Sequence, residues 1–329
     1  MAYGEVRGMR ALSGGQWAII VSGSRVYSLN LLGVATQVGT LTTSSGYVGI
    51  TDNQTTNNGL TAYIVDGVNR YTWIAATNTF AKLAASDGPW QGASVCDVVD
   101  NYYVYNEPNT QNWAVSNLGL ATSPAQYGSK DGSPDNLVSL IVDHRQVYLL
   151  GEVTTEVWVD VGSQISGITT FPFQRISGTT MQHGIAAPFS VGRFSESFMF
   201  VSKDTRGQAI VGLMNGYQLA RVSTHAVENT LVGVDISDAV AYTYQVEGHE
   251  FYVVTFPQAD LTWVYDSATQ MWHKWLSWDN VNGYYRHRSN CGCFFNNVYL
   301  VGDFENGNIY QLDNSVYTDN GTTIRRLRR

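Results

Sequence analysis

Hydrophobic and polar positions along this chain alternate in short bursts separated by turn residues. One set of apolar, aromatic-bearing segments reads WAIIV (17–21), TAYIV (61–65), YYVY (102–105), VYLL (147–150), FMFV (198–201), FYVV (251–254) and VYLV (298–301). Marked by Trp17, Tyr63, Tyr103, Tyr148, Phe198, Tyr252 and Tyr299, the segments recur at steps of 46, 40, 45, 50, 54 and 47 residues. A second set follows about ten residues behind: RVYSL (25–29), RYTWI (70–74), NWAVS (112–116), EVWVD (156–160), AIVGL (209–213), TWVYD (262–266) and NIYQL (308–312). Both sets stay in phase through seven units. β-Branched and aromatic residues bounded by Gly, Asn, Asp and Thr are strand chemistry. The turns SGS (22–24), DGVN (66–69), GEVT (151–154) and FENG (304–307) suit tight hairpins.

Several units add a third strand, as in TQVGTL (36–41), TFAKL (79–83) and MWHKW (271–275). Ahead of each marker lies a strand with smaller residues, such as YVGI (47–50), SVCDV (94–98), VSLIV (138–142) and AVAYT (239–243). Four antiparallel strands every forty to fifty residues predict an all-β fold, a β-propeller of seven blades, with six the alternative. The small residues suit the innermost strand, where blades crowd the axis. In Trp263 to Trp272, the expectation is that Asp266 and Thr269 close the turn by side-chain bonds and that Trp272 packs against the next blade. Tyr71 to Phe80 repeats that spacing with Thr77 and Phe80. The unit resembles the outer half of a kelch-type blade without its double glycines. Residues 1–314 are expected to form the propeller domain, and 315–329 to begin a truncated C-terminal segment of a protein extending beyond both ends. Residues 118–135 and 162–183 read as long surface connections, and His225 to Leu231 as a short capped helix.

Composition narrows the function. Charged residues are only 14% of the 329, with 20 Tyr and four Lys, which excludes a disordered chain and argues against a helical bundle. No apolar run is long enough to span a bilayer, and the opening MAYGEVRGMR has no signal-peptide stretch. The net charge of −8 leaves no basic face to grip a phosphate backbone; the one basic run is Arg325, Arg326, Arg328 and Arg329. Cys96, Cys291 and Cys293 are no disulfide framework.

Candidate chemistry is sparse. His144, His183, His225, His249, His273 and His287 are scattered over four units, and no zinc spacing occurs, so neither a metal nor a cofactor is expected. There is no GxSxG. Asp97, Asp143, Asp238 and Asp303 lie near first or second strands, where a hydrolase would aim carboxylates at a channel; turn and cap chemistry is the reading preferred. Ser202 to Gly207 is only a faint likeness of an Asp-box. Trp272, Trp275 and Trp278 would stack sugars in a lectin-like propeller, the alternative function, but at strand spacing they read first as inter-blade core. No catalytic, cofactor-binding or metal site is assigned, and no enzyme is expected.

An ordered series of motifs resembles the packaged-DNA stabilisation proteins of short-tailed bacteriophages, the tail hub or nozzle. It runs from Ser133-Pro134-Asp135 and Leu140-Ile141-Val142 through GEVTTEVWVDVG (151–162), Gln182 to Ala186 and Phe198 to Ser202. Ser223 to Glu228, Tyr242 to Pro257 and Trp263 to Trp275 complete it. The likeness covers residues 130–310 best and the first three units chiefly in order and spacing. It implies a structural virion protein, not an enzyme: a six-fold ring of copies of itself below the portal and head-to-tail adaptor. Such a ring meets the tail needle and tailspikes, closes the channel over packaged double-stranded DNA, and passes that DNA through its lumen without specific binding. It also implies assembly in the host cytoplasm and no membrane partner. Which residues touch which partner is left unassigned.

Overall fold

Alternation within each strand sets the architecture, because successive side chains point to opposite faces and in second strands both faces are buried. Ile19 and Val21 of one strand pack with Tyr71 and Trp73 of the following unit, while Ala18 and Ile20 pack with Phe295 of the last one. Repeated around a circle, that two-sided burial makes a β-propeller. The computed structural model describes residues 3–162, 171–204, 206–281 and 283–324, with the backbone alone at 164–165 and 168–169.

Strands within a blade are lettered from the first. Blade 1 holds Val6–Ala11, Trp17–Ser22, Arg25–Asn30 and Ala35–Thr40; blade 2 holds Gly49–Thr56, Gly59–Val65, Arg70–Ile74 and Thr79–Lys82. Blade 3 holds Cys96–Val99, Tyr102–Asn106, Asn112–Val115 and Tyr127–Ser129. Leu137–Asp143, Gln146–Gly151, Thr155–Asp160 and Phe173–Arg175 form blade 4. Gly192–Phe194, Ser197–Lys203, Ala209–Asn215 and Gln218–Arg221 form blade 5. Blade 6 has Val240–Val246, His249–Phe256, Leu261–Asp266 and Met271–Asp279, then a fifth strand, Gly283–Arg286. Among the described residues blade 7 has three: Ser289–Phe295, Val298–Asp303 and Ile309–Leu312. All pairings within blades are antiparallel, and the one α-helix among the described residues is His225–Asn229, between blades 5 and 6.

The core is distributed as seven clusters, one in each seam between neighbouring blades. Aromatic side chains fill the seams; Tyr63 of blade 2 stacks on Tyr103 of blade 3 at 4.7 Å, and Trp113 of blade 3 meets Trp158 of blade 4 edge-on at 5.4 Å. Each such buried side chain contributes about 1.5–3 kcal/mol over its exposed state. The ring closes between blades 7 and 1, where Asn290 Nδ2 donates to Val6 O at 3.0 Å.

The connections from blades 1, 2 and 3 to the next blade are held by buried polar side chains. Arg7 donates to the carbonyls of Gly23, Thr43, Ser45 and Gly46, and Arg70 to those of Trp90 and Gln91. Lys130 is fully buried against Asp135 and Thr154. Asp266 and Thr269 close their turn as expected: Ala268 N and Thr269 Oγ1 both donate to the Asp266 carboxylate at 2.9 Å. Trp272 differs from expectation, for its Nε1 donates at 3.0 Å to Val222 O, on the preceding blade and not the next. Phe80 likewise lies against Gly39 of blade 1. The cause is geometric: the outer strand of each blade lies over the outer strand behind it, so its large residue faces backward.

Candidate functional site: the propeller axis and its two mouths

First strands run side by side around the axis, and their small residues are what lets them do so. A Cβ on Gly8 would stand 2.7 Å from Val48 O of blade 2, and one on Gly49 would stand 3.2 Å from Ser94 O, at the entry to blade 3. Gly192, Cys96, Ser139, Ala241 and Gly292 line the same cavity from the other blades. Its volume is about 470 Å³.

Cys96, Cys291 and Cys293 border this cavity with their side chains packed toward the blade seams. Burial pushes the thiol of Cys293 up to about 12 and those of Cys96 and Cys291 further, which favours their protonated form at neutral pH. Among the described residues no three His, Cys, Asp or Glu side chains gather as a metal site.

One mouth is plugged by aromatic side chains from distant blades. Tyr47, leading into blade 2, packs on Phe189, leading into blade 5, at 5.3 Å between ring centroids. Its hydroxyl donates to Asn290 Oδ1 of blade 7 at 3.1 Å. Burial holds the Tyr47 phenol well above its ordinary value, so it remains a donor.

The other mouth, where first strands turn into second strands, is clasped by ions. Arg193 of blade 5 donates to Val142 O of blade 4 at 2.6 Å and to Asp97 Oδ2 of blade 3 at 2.9 Å. Asp97 also accepts from Val142 N at 2.8 Å and Val98 N at 2.9 Å. Arg10 reaches Asp52 at 3.4 Å. The hairpins ringing this mouth have left-handed central residues: Asp100 and Asn101, His144 and Arg145, Ser195 and Glu196, Asn296 and Asn297. These are the paired positive φ angles of type I′ turns, which follow the right-handed twist of the strands.

Of the four carboxylates considered as channel groups, only Asp97 lines the cavity. Asp143 stands at the same mouth beside His144 at 2.9 Å. Asp238 lies at the opposite end of a first strand and accepts from Gln258 N at 3.2 Å. Buried Asp303 accepts from Glu305 N at 2.7 Å and Tyr310 Oη at 2.8 Å. Asp97 and Asp143 both stand against the Arg193 guanidinium, at 2.9 and 4.0 Å, whereas Asp238 and Asp303 are held in local turn and cap bonds. Asp204 of the Asp-box-like stretch accepts from Arg206 N and Gln208 N, a turn and nothing more. Trp272 and Trp275 are engaged in packing, the latter between Tyr244 at 5.5 Å and His287 at 5.2 Å. Arg10, Phe189 and Arg193 were not singled out from sequence, and Tyr47 entered only as the first residue of the small-residue segment YVGI.

The sequence matches, over residues 3–317, the family described as bacteriophage P22 Gp10, beta-propeller. The chain belongs to this family. Family membership makes it a structural component of a phage tail, found in the virion in an oligomeric assembly with other phage proteins. Solved structures share the fold at low identity. A chain of the mitotic checkpoint complex aligns with a TM-score of 0.52 at 12% identity, over 92% of this chain and 86% of that one. The extracellular domain of a putative hybrid two-component system from B. thetaiotaomicron gives 0.56 at 8%, over 93% and 38%. The N-terminal domain of Nup159 gives 0.51 at 9%, over 94% and 87%. At such identities these likenesses establish the propeller alone. Among curated proteins, none matches the chain. No helix among the described residues is long and apolar enough to cross a membrane.

Proposed function

We propose that this Gp10-family propeller builds the hub or nozzle of a phage tail, a six-fold ring of identical copies below the portal and head-to-tail adaptor. In that place it closes the channel over packaged DNA, gives the tail needle and tailspikes their seats, and serves as conduit when the genome leaves. Assembly takes place in the host cytoplasm before the ring joins the virion. The family match over nearly the whole chain carries the reading.

Two physical features support it. A cavity of about 470 Å³, plugged by Tyr47 and Phe189, has no room for a duplex with grooves about 8.5 Å deep. The conduit therefore lies between copies and not along any one propeller axis. A net charge of −8 suits a wall past which DNA slides without adhering. No catalytic role is proposed, and residues 1–314 are taken as the propeller domain, with 315–329 leading into a further segment.

Quantitative mass spectrometry of purified particles tests the ring, by counting this protein against the portal. Half the portal copy number is expected. Particles made without the gene should fill with DNA and then lose it. Absence from the particle, or full DNA retention without the gene, overturns the reading.

A further inference from the structure

The outermost strand of each blade leaves a row of backbone N–H and C=O groups at the rim, and charged side chains are the usual guard against their pairing with another chain. Lys82, Arg175, Arg221 and Arg286 stand on the outermost strands of blades 2, 4, 5 and 6, and that of blade 3 is only three residues long. Ile309–Leu312 of blade 7 is short and half-buried, in a cavity it shares with the hairpin Thr318–Asp319 and Thr322–Thr323. Ala35–Thr40 of blade 1 differs from all of these. It is six residues long, mostly exposed, and free of charge and proline. No Asp, Glu, Lys, Arg or His occurs from residue 26 to residue 51. Leu32 and Val34, in the hairpin that leads into the strand, are exposed too.

Backbone alternation fixes what this edge offers. Asn30 N donates to Val34 O at 3.2 Å, and the register then sets Leu29 opposite Ala35, Ser28 opposite Thr36 and Tyr27 opposite Gln37. Val34 and Thr36 therefore bond inward, and the N–H and C=O of Ala35 and Gln37 face outward. No strand among the described residues pairs on that side. Val38 is a bulge, unpaired between Gln37 and Gly39, so the straight template ends at Gln37. Two outward residues flanking Thr36 make the template its own complement. Turned about a two-fold axis through Thr36, Ala35 of one copy meets Gln37 of the other, and each such pair exchanges both backbone bonds. Thr36 then stands opposite Thr36, a favourable cross-strand pair. A strand that pairs with itself sets like charges against like, which is destabilising. The guarded edges of blades 2, 4, 5 and 6 oppose that arrangement; the edge of blade 1 does not.

We propose that two copies of the free chain join through blade 1, Ala35 to Gln37 of each pairing antiparallel about a two-fold axis at Thr36. The two blades then form one continuous sheet. The inference needs only the fold and stands apart from the hub reading, because neighbours in a ring meet through unlike surfaces and a two-fold pair through like ones.

Analytical ultracentrifugation of the whole chain, from micromolar to submillimolar concentration, tests it. The native chain is expected to pass from monomer to dimer. Thr36→Lys and Thr36→Glu each set like charges against each other across the axis and should weaken the dimer about fivefold or more, with the circular-dichroism melt unchanged. Mixed in equal amounts, the two variants should pair again, Lys against Glu. Gln37→Pro removes an outward N–H at an edge position where proline is tolerated, and should also dissociate the pair. A native chain that stays monomeric, an oligomer indifferent to all three variants, or charge variants that do not recover on mixing would each overturn the proposal. The copy number in the particle, which tests the hub, is untouched by any of these outcomes.

Discussion

Asp97 accepts two backbone amides and one guanidinium at a point where three blades meet, and those partners differ in worth. Its carboxylate is nearly buried, whereas half of the Arg193 side chain is in solvent. Hydrogen bonds to a buried charge are worth about 1.5–3 kcal/mol, a half-exposed ion pair less than about 1. Asp97→Ala should therefore lower stability in urea by about 2 kcal/mol, and Arg193→Met by under about 1 kcal/mol. The reverse order would mean that the ion pair, not the backbone bonds, holds this mouth. His287 gives a pH prediction. Burial lowers its pKa to about 4, helped by Arg288 and opposed by Asp319 and Asp303. The unfolded chain takes up that proton near pH 6.5, the folded one only near 4. Its contribution is complete above about pH 6.5 and is lost as the pH falls through that window. Urea midpoints from pH 7 to 4 should fall more steeply for the native chain than for His287→Phe, which keeps an aromatic ring beside Trp275. Parallel slopes would show that His287 has no part in the fall.

Strands and hairpins were the most legible level, because period-two alternation survives in every unit. The markers from Trp17 to Tyr299 all fall in second strands, and the helix expected over His225 to Leu231 is present over His225–Asn229, without the expected side-chain cap bond. Outer strands were less legible where they are short or remote. Tyr127–Ser129 and Phe173–Arg175 sit inside stretches that read as loops, since three residues carry no periodicity and their partners come from far along the chain. That blade 7 shows three strands among the described residues and blade 6 five left no signal, for sequence phase reports spacing and not pairing. The axial site was legible only as smallness, in Gly8, Gly49, Cys96 and Ser139; which cations and rings close the mouths depends on contacts between blades that no local pattern encodes. Two element-scale tests follow. Gly8→Ala places a Cβ 2.7 Å from the Val48 carbonyl, so two inner strands must part, at a cost of about 1–3 kcal/mol in thermal or urea unfolding. Unchanged stability would show that the inner strands are not packed to contact. Conversely, Ser195 and Glu196 occupy left-handed positions, φ 51° and 61°, that Asn and Gly adopt at lower cost. Ser195→Asn with Glu196→Gly should raise stability by about 1 kcal/mol and the melting temperature by roughly 2 °C. A loss would mean that those side chains hold the hairpin more firmly than its backbone geometry opposes it.

Seven seams closed into a ring give a wall with no internal passage for a duplex, so everything the molecule does to DNA it does from its outer surface. That surface belongs to a chain of net charge −8, and four of its few cations sit together at Arg325, Arg326, Arg328 and Arg329. Neutralising about four phosphates releases about four counterions, and binding then falls with salt at a log–log slope of about −3.6. Any duplex binding by the whole chain at 50 mM salt should thus weaken about fiftyfold by 150 mM. Replacing the four Arg with Ser leaves a chain of net charge −12. In gel-shift titrations that variant should leave a duplex unshifted even at 50 mM salt, with an unchanged melting temperature as the control for folding. Salt-dependent binding retained by the Ser variant would locate a phosphate-gripping surface on the propeller itself. A conduit wall that repels DNA would then be the wrong picture, and the copies would have to hold the genome directly to keep it in the head.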